Sequence, residues 1–274
     1  MLNFENFVEY SPMAYHMVSH ILTLGYATML AGLLYFALTL NTVSARFRIS
    51  SVLSVVVMTS AFLLLYAQQA NWTSSFVFNP ETETYVRGAA ATGALGTPDT
   101  FNNGYRYLNW LIDVPMLLLQ ILFVVEITRE RRRSLTLQFM TSGVLMIVTG
   151  YIGQFYEVTN IPLFLIWGTI STVFFFHVLW LMYKLLNEQS ALPPRAQRVM
   201  KGIWWLFLIS WMLYPGAYLM PVLLEGEIGV VGRQFTYTVA DIASKVIYGI
   251  MLTYAAQIRS EEEDNFVYGS KAVA

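Results

Sequence analysis

Seven long apolar stretches dominate this sequence of 274 residues and constrain its fold more than any other feature. A helix that crosses the hydrocarbon core of a bilayer needs about 20 mostly apolar residues. Such stretches occur at about 17–40, 49–70, 105–127, 135–156, 161–186, 202–223 and 234–258. Only 12% of the residues are charged, against roughly 25% in soluble domains. We therefore predict an all-α membrane protein, a single domain over residues 1–274 that forms a seven-transmembrane helix bundle in a lipid bilayer.

The distribution of lysine and arginine predicts the orientation of this bundle, because these residues are retained on the cytoplasmic side. If the N-terminus lies outside, twelve of the 16 basic residues fall in cytoplasmic segments and one, Lys245, lies within the membrane. The three on the outer side are Arg87, Arg106 and Arg233. We therefore predict an extracellular arm over residues 1–16 and a cytoplasmic tail over residues 259–274.

The connection from Asn71 to Gly104 is the only long one. Its segments Ser-Ser-Phe-Val-Phe and Glu-Thr-Tyr-Val are predicted to pair as a short β-hairpin after the second span.

Composition excludes several classes of function. The chain has no cysteine, which excludes disulfides, thiolate metal sites and cysteine nucleophiles. Three histidines are too few and too scattered for a metal site, and a formal net charge of −1 gives no reason to expect a nucleic acid partner. The sequence also lacks a Gly-rich phosphate loop and a His-Glu-x-x-His motif, so we predict that it is not an enzyme.

Three ionisable residues lie deep within predicted spans: Asp113, Asp241 and Lys245. Each costs at least ~2.5–3.5 kcal/mol near the bilayer centre and therefore needs a reason to be there. Asp241 precedes Lys245 by one helical turn, about 6 Å along the axis. One interpretation is that Lys245 forms a covalent imine with an aldehyde cofactor, and the other is that the pair is a structural salt bridge. The Asp-x-x-x-Lys spacing alone does not distinguish them.

The third span carries a ladder of polar residues on one face: Arg106, Asn109, Asp113 and Gln120. Their spacings of four and seven keep them on one side of a helix, with each heptad advancing about 10.5 Å. Polar groups in membrane helices often only join neighbouring helices. A graded series that includes both signs of charge favours a conducting path instead.

Aromatic residues cluster near the middle of three spans, at Trp110, Trp211, Tyr214 and Phe174 to Phe176. Tryptophan usually lies at the membrane interface, so this cluster indicates a flat apolar ligand held between rings, with core packing as the alternative. Pro115 and Pro215 interrupt the third and sixth spans and are predicted to kink them.

Three segments of the chain resemble the microbial rhodopsins: Arg106-Tyr-Leu-Asn109-Trp110-Leu-Ile-Asp113-Val-Pro115, Trp211-Met-Leu-Tyr214-Pro215 and Asp241-Ile-Ala-Ser-Lys245. The resemblance extends over essentially the whole chain. It implies all-trans retinal bound as a protonated Schiff base on Lys245. The pocket residues that it implies are Trp110, Trp211, Tyr214, Pro215 and Phe175.

Within that family, Asn109, Asp113 and Gln120 are similar to the Asn-Asp-Gln motif of the light-driven sodium pumps. The resemblance implies outward transport of Na⁺, with Asp113 as counterion and proton acceptor and Arg106 at the exit. Na⁺ would bind transiently at Asn109, Asp113 and Asp241. The alternatives are a light-driven outward proton pump, a retinal photosensor and a transporter without retinal, although no transducer domain is evident.

Further roles are implied by the same resemblance. Ser60 would hydrogen-bond the counterion region, and Ser54 would lie beside Gln120 on the inward path. An extracellular ion-release cluster would comprise Glu5, Glu157 and Arg233, and a pentamer interface would include Tyr15, His20 and Asp99. Familiar members have Asn and Gly where this chain has Ser51 and Thr253, which leaves the ion selectivity of uptake open. The expected location is a bacterial inner membrane, with the C-terminus in the cytoplasm.

Overall fold

A computed structural model describes residues 3–88, 100–188 and 192–261, and it confirms the seven-helix bundle. Within these residues, seven spans are long and apolar enough to cross a membrane. The first six are α1 (Pro12–Thr39), α2 (Arg48–Ser75), α3 (Gly104–Val124), α4 (Arg129–Gln154), α5 (Ile161–Asn187) and α6 (Pro194–Leu223). The seventh span, Gly226–Glu261, consists of α7 (Gly226–Asp241), a π-helical turn (Ile242–Ile247) and α8 (Tyr248–Glu261).

The seven spans form a closed ring, because each packs against the next and α1 packs against α7. The outer faces carry exposed large apolar side chains such as Leu38, Trp205 and Ile209. The interior holds buried charged groups, including Arg106, Asp113 and Lys245. Apolar residues outside and ionisable residues inside are the arrangement expected of a helical bundle surrounded by lipid. α3, which carries the predicted polar ladder, is the most buried span.

The N-terminal end of the bundle is closed by a short 3₁₀ helix, Phe4–Phe7, and by a β-hairpin of β1 (Phe76–Asn79) and β2 (Thr84–Arg87). The strands pair antiparallel, with Phe76 opposite Arg87. Backbone hydrogen bonds of 2.9 and 2.8 Å between Tyr10 and Tyr85 attach the chain before α1 to the hairpin. The predicted hairpin is therefore present. It begins later than predicted, because α2 continues through Ser75.

Several helix ends differ from the prediction. α1 begins at Pro12 and not at 17, so residues 12–16 are helical and not part of an arm. α4, α6 and α7 also begin earlier, at Arg129, Pro194 and Gly226. α1 starts earlier because Ser11 caps it, its hydroxyl accepting a hydrogen bond from the Ala14 N–H. The prediction began α4, α6 and α7 beyond basic residues, but long basic side chains can extend from a helical turn to the membrane surface.

Two helix C-termini that lie at the same end of the bundle also differ from the prediction. α3 stops at Val124 and not at 127, whereas α8 continues to Glu261. Arg259, predicted to lie in a tail, is therefore helical and nearly buried.

Candidate functional site

A largely apolar cavity lies in the middle of the bundle and contains about 730 Å³ of space, including the part that opens at its mouth. All five predicted pocket residues line it, together with Lys245: Trp110, Phe175, Trp211, Tyr214 and Pro215. The remaining walls are Tyr107, Val114, Leu117, Met146, Ile147, Gly150, Gly168, Ser171, Thr172, Tyr218, Tyr237 and Ser244. The structure thus gathers Trp110, Phe175, Trp211 and Tyr214 around one space that reaches the buried lysine. Phe174 and Phe176, which were predicted in the same cluster, do not line it, and Phe176 is exposed on the outside of α5.

Lys245 lies in the π-helical turn, and its Nζ pairs with the carboxylate of Asp241 one turn earlier. π-Helical turns inside α-helices occur frequently at functional sites. The same carboxylate also accepts hydrogen bonds from Arg106 Nη1 at 2.6 Å, Trp110 Nε1 at 3.0 Å and the Tyr214 hydroxyl at 2.9 Å. Asp241 is therefore held by two cations and two neutral donors, which stabilise its negative charge.

Asp113 has different partners. Its carboxylate accepts hydrogen bonds from the Ser60 hydroxyl and from Asn109 Nδ2, the latter at 2.5 Å. Asn109 Nδ2 also donates to Ser60 Oγ at 3.3 Å. Asn109 Oδ1, in contrast, is buried and has no hydrogen-bond partner among the described residues. The predicted association of Ser60 with the Asp113 region is thus present, and it leaves an amide oxygen available for a further ligand.

Gln120 lies further along the buried face of α3, and its Oε1 accepts a hydrogen bond of 2.8 Å from Ser54 Oγ. Ser51 and Thr253 are also buried at this level of α2 and α8. Within the described residues, Ser51 Oγ and Gln120 Nε2 are buried without a partner. Buried polar groups are normally hydrogen-bonded to protein or water, so these atoms are available to bind a water molecule or another small polar ligand.

Towards the N-terminal end, Arg106 connects the central site to a second charged cluster. Arg106 Nη2 donates to Thr238 Oγ1 at 3.0 Å and to Gln234 Oε1 at 3.4 Å. Gln234 Nε2 in turn donates to Glu5 Oε1 at 2.9 Å and to Asn103 Oδ1 at 3.0 Å. A continuous polar network therefore extends from Asp241 to the end of the bundle.

This network includes the three residues predicted to form a release cluster. Arg233 Nη1 lies 3.2 Å from Glu5 Oε1 and 2.9 Å from Glu157 Oε1, and all three side chains are buried. Burial raises the pKa of the Glu157 carboxyl, and the nearby Glu5 charge adds to this effect, although the Arg233 guanidinium opposes it. The chain before α1 is therefore part of the polar interior and not a free arm.

The predicted interface residues do not form a site within one chain. Tyr15 is buried, with its ring stacked on Tyr85 at 3.8 Å, whereas His20 is exposed on α1. Asp99 lies outside the described residues. The pentamer therefore remains a prediction.

Sequence reasoning missed several residues of the site, including Gln234, Asn103, Tyr237 and Ser244. Gln234 directly follows Arg233, and Ser244 directly precedes Lys245. Their positions next to Arg233 and Lys245, two charged residues that the sequence had already indicated, were the signal that could have revealed them. Tyr237 lies one turn before Asp241 and contacts Arg106, whose guanidinium carbon is 5.5 Å from its ring centre.

These features first define a class: a seven-helix membrane protein with an aromatic cavity that reaches a buried lysine. The family described as "Bacteriorhodopsin-like protein" then matches residues 16–258. The chain therefore belongs to this family of microbial rhodopsins, membrane proteins that bind a retinal chromophore and include light-driven ion pumps.

Individual relatives are distant in sequence but similar in structure. The chain is 23% identical over 227 residues to the green-light absorbing proteorhodopsin of Gamma-proteobacterium EBAC31A08, covering 82% of this chain and 81% of that protein. The crystal structure of a thermophilic rhodopsin superposes with a TM-score of 0.83 at 29% identity, covering 94% of this chain and 99% of that one. Xanthorhodopsin, described as a light-driven ion pump with dual chromophore, gives a TM-score of 0.81 at 28% identity, with 93% and 98% coverage.

Proposed function

We propose that this protein is a light-driven pump that exports Na⁺, with all-trans retinal bound covalently to Lys245. The observation that carries the proposal is the composition of the buried face of α3. Asn109 hydrogen-bonds to Asp113, and the next polar group inward is Gln120, which is bonded to Ser54. A carboxylate at the last position could return a proton to the centre, whereas Gln120 cannot be protonated at accessible pH. This favours Na⁺ over H⁺ as the exported ion.

The lining of the cavity fits retinal in its chemistry. It is mostly apolar and includes aromatic rings, and it reaches Lys245, the only lysine buried within the described residues. Trp110, Trp211 and Tyr214 would hold the polyene, and Lys245 Nζ would form the covalent bond. When bound, retinal supplies light absorption and a light-driven isomerisation that displaces the proton on the Lys245 nitrogen.

The charges around Lys245 support Asp113 as the acceptor of that proton. Asp241 is bonded to Arg106 as well as to Lys245 and therefore remains ionised. Asp113 accepts only from the neutral donors Ser60 and Asn109 among the described hydrogen bonds. Neutralising Asp113 consequently disrupts fewer charge pairs than neutralising Asp241.

Proton transfer to Asp113 opens the path for the ion. While the Lys245 nitrogen carries its charge, a Na⁺ ion 4 Å away is repelled by about 4 kcal/mol at an effective dielectric constant of 20. Loss of the proton removes this barrier. Asn109 Oδ1 and the carboxylate of Asp241 then offer oxygen ligands, which suit a hard cation.

Orientation follows from the excess of basic residues at the end of the bundle where α8 finishes, which we propose faces the cytoplasm of a bacterial cell. Na⁺ would enter past Ser54 and Gln120 and leave past Arg106 towards Glu5, Glu157 and Arg233. Arg106 discourages return of the ion, because its guanidinium lies between the centre and the outer cluster. A homopentamer with Tyr15, His20 and Asp99 at its interface is part of the same proposal.

The test is illumination of cells that express the protein, in NaCl, with and without a protonophore. Export of Na⁺ draws protons inward passively, so the medium should become alkaline, and more strongly with protonophore. Acidification that the protonophore abolishes would refute sodium export and identify an outward proton pump. The absence of any light-induced pH change would favour a photosensor.

A further inference from the structure

A third charged cluster lies at the end of the bundle where α3 and α8 finish, apart from the retinal cavity and from the cluster of Glu5, Glu157 and Arg233. Arg259 of α8 is 7% exposed, and its Nη2 pairs with Glu126 just beyond α3. Its Nη1 donates to the carbonyl oxygen of Val124 at 2.6 Å, and so binds the last residue of α3. Arg259 Nε is buried without a partner among the described residues. We call this contact the Glu126–Arg259 pair.

The connection between α1 and α2 covers this pair. The guanidinium carbon of Arg259 lies 5.0 Å from the ring centre of Phe47, and Arg46 Nη2 lies 3.5 Å from Glu126 Oε1. The backbone N–H of Ser44 donates to Ser260 Oγ at 2.9 Å. The Glu126–Arg259 pair thus joins three parts of the chain at one end of the polar interior.

The pair lies directly beyond the buried polar residues around Gln120. Val124 follows Gln120 by one turn, about 6 Å along α3, and Arg259 follows Thr253 by six residues, about 9 Å along α8. The guanidinium of Arg259 therefore lies between Gln120 and this end of the bundle. Glu126 is 48% exposed, so its carboxylate faces the solution from which the ion would come.

We propose that the Glu126–Arg259 pair is the cation gate at the uptake end of the path, an inference that rests on the proposed function. Glu126 concentrates cations at the mouth, and Arg259 repels them from the passage while it is bound to Val124. An arriving cation competes with Arg259 for Glu126. Separation of the pair then moves the guanidinium charge away and admits the ion towards Gln120 and Ser54.

The opposite charges of the two residues provide a sharp test. The measurement is the Na⁺ concentration that half-saturates the late, Na⁺-dependent step of the photocycle, in purified pigment variants. Arg259→Gln should lower this concentration and Glu126→Gln should raise it, each by about two- to seventeenfold. This is the range for a unit charge ~10 Å from the ion at effective dielectric constants of 80 to 20. The double variant should return close to the wild-type value.

Controls separate this effect from loosening of the helix ends. Arg195→Gln removes a charge from a separate pair with Glu261 at the same end. It should change the concentration less than twofold, because Arg195 takes no part in the contact between Glu126 and Arg259. Arg259→Lys retains the charge and should stay near wild type. If Arg259→Gln forms no pigment, Glu126→Gln and Arg259→Lys carry the test.

Shifts of both single variants in the same direction, or no shift in either, would overturn the gate. A wild-type photocycle that does not respond to Na⁺ would instead refute the proposed function, and the gate with it.

Discussion

Replacement of Asn109 by aspartate tests the proposed ion path most directly, because Asn109 contacts Asp113 and also presents an oxygen with no partner in the described part of the chain. Asn109 Nδ2 lies 2.5 Å from Asp113 Oδ2, and Asn109 Oδ1 is buried without a partner among the described residues. Asn109→Asp exchanges the donating nitrogen for a second carboxylate oxygen. A hydrogen bond between two residues thereby becomes a contact between two acids.

The structure sets the size of the effect. Two ionised oxygens about 3 Å apart repel by ~5.5 kcal/mol at an effective dielectric constant of 20. The doubly ionised pair is therefore disfavoured by about 10⁴-fold, and the two carboxyl groups share one proton, as closely spaced carboxylates do. Asp113 is then no longer free to accept the proton of the Lys245 nitrogen and release it in step with ion passage. We expect Na⁺ export to fall at least about tenfold, with proton export even in abundant Na⁺.

The assay compares light-induced pH changes with and without protonophore, in sodium and in potassium salts. Asn109→Leu is the matched control, because it removes the amide oxygen without adding a proton-binding group. It should lose Na⁺ export without gaining proton export. Undiminished Na⁺ export by Asn109→Asp would show that Asn109 is a packing residue and that the cation does not use its oxygen.

Four further predictions follow from the site. Lys245→Ala should give a colourless protein, since it removes the only lysine buried within the described residues. Asp113→Asn should shift the visible band to longer wavelength and reduce transport more than about tenfold, because the neutral amide cannot accept a proton. Gln120→Ala should alter late photocycle rates and leave the dark spectrum nearly unchanged, since Gln120 lies about 10.5 Å from Asp113 along α3. Burial raises the pKa of the Glu157 carboxyl in the folded protein. This shift stabilises the fold fully below the ordinary carboxyl pKa of about 4.3, and the stabilisation is lost as the pH rises through the raised pKa of the folded state. Glu157→Gln should flatten that part of the pH dependence of thermal unfolding.

Each of these predictions has an outcome that contradicts it. A retinal-dependent, hydroxylamine-sensitive band in Lys245→Ala would reject the covalent site, and normal Na⁺ export by Asp113→Asn would reject proton transfer as the trigger. A large dark spectral shift in Gln120→Ala would place Gln120 against the chromophore. Unfolding curves of Glu157→Gln that follow the wild-type pH dependence would show that this carboxyl titrates alike in both states.

The sequence predicted those parts of the site that lie along one helix. The face of α3 that carries Arg106, Asn109, Asp113 and Gln120 is buried as its spacing indicated. The four-residue separation of Asp241 and Lys245 likewise predicted their contact. In each case helical geometry alone fixes which side chains are neighbours, so no knowledge of the other helices was needed.

Contacts between helices were not predictable in the same way. Gln234 bridges Arg106 and Glu5, and Arg259 binds the end of α3, only because of how the seven spans are rotated about their axes. In the sequence alone, a polar residue near a helix end cannot be distinguished from an ordinary surface residue, because the rotation of its helix is not known. The π-helical turn at Lys245 also has no signal in residue spacing, since it places one extra residue in a single turn of an otherwise continuous helix.

The charged pairs along the bundle axis suggest how one photochemical event could move an ion in one direction. On the proposed function, a cation passes three positive groups in turn, Arg259, Lys245 and Arg106, and each is paired with a carboxylate. Only Lys245 can lose its charge within the photocycle, because a guanidinium is not deprotonated in proteins. The two arginines must therefore act by moving, and Lys245 by releasing its proton. The direction of transport then depends on when Lys245 regains its charge. It must do so while the ion is already on the Arg106 side, because the restored charge then repels the ion away from the path by which it came.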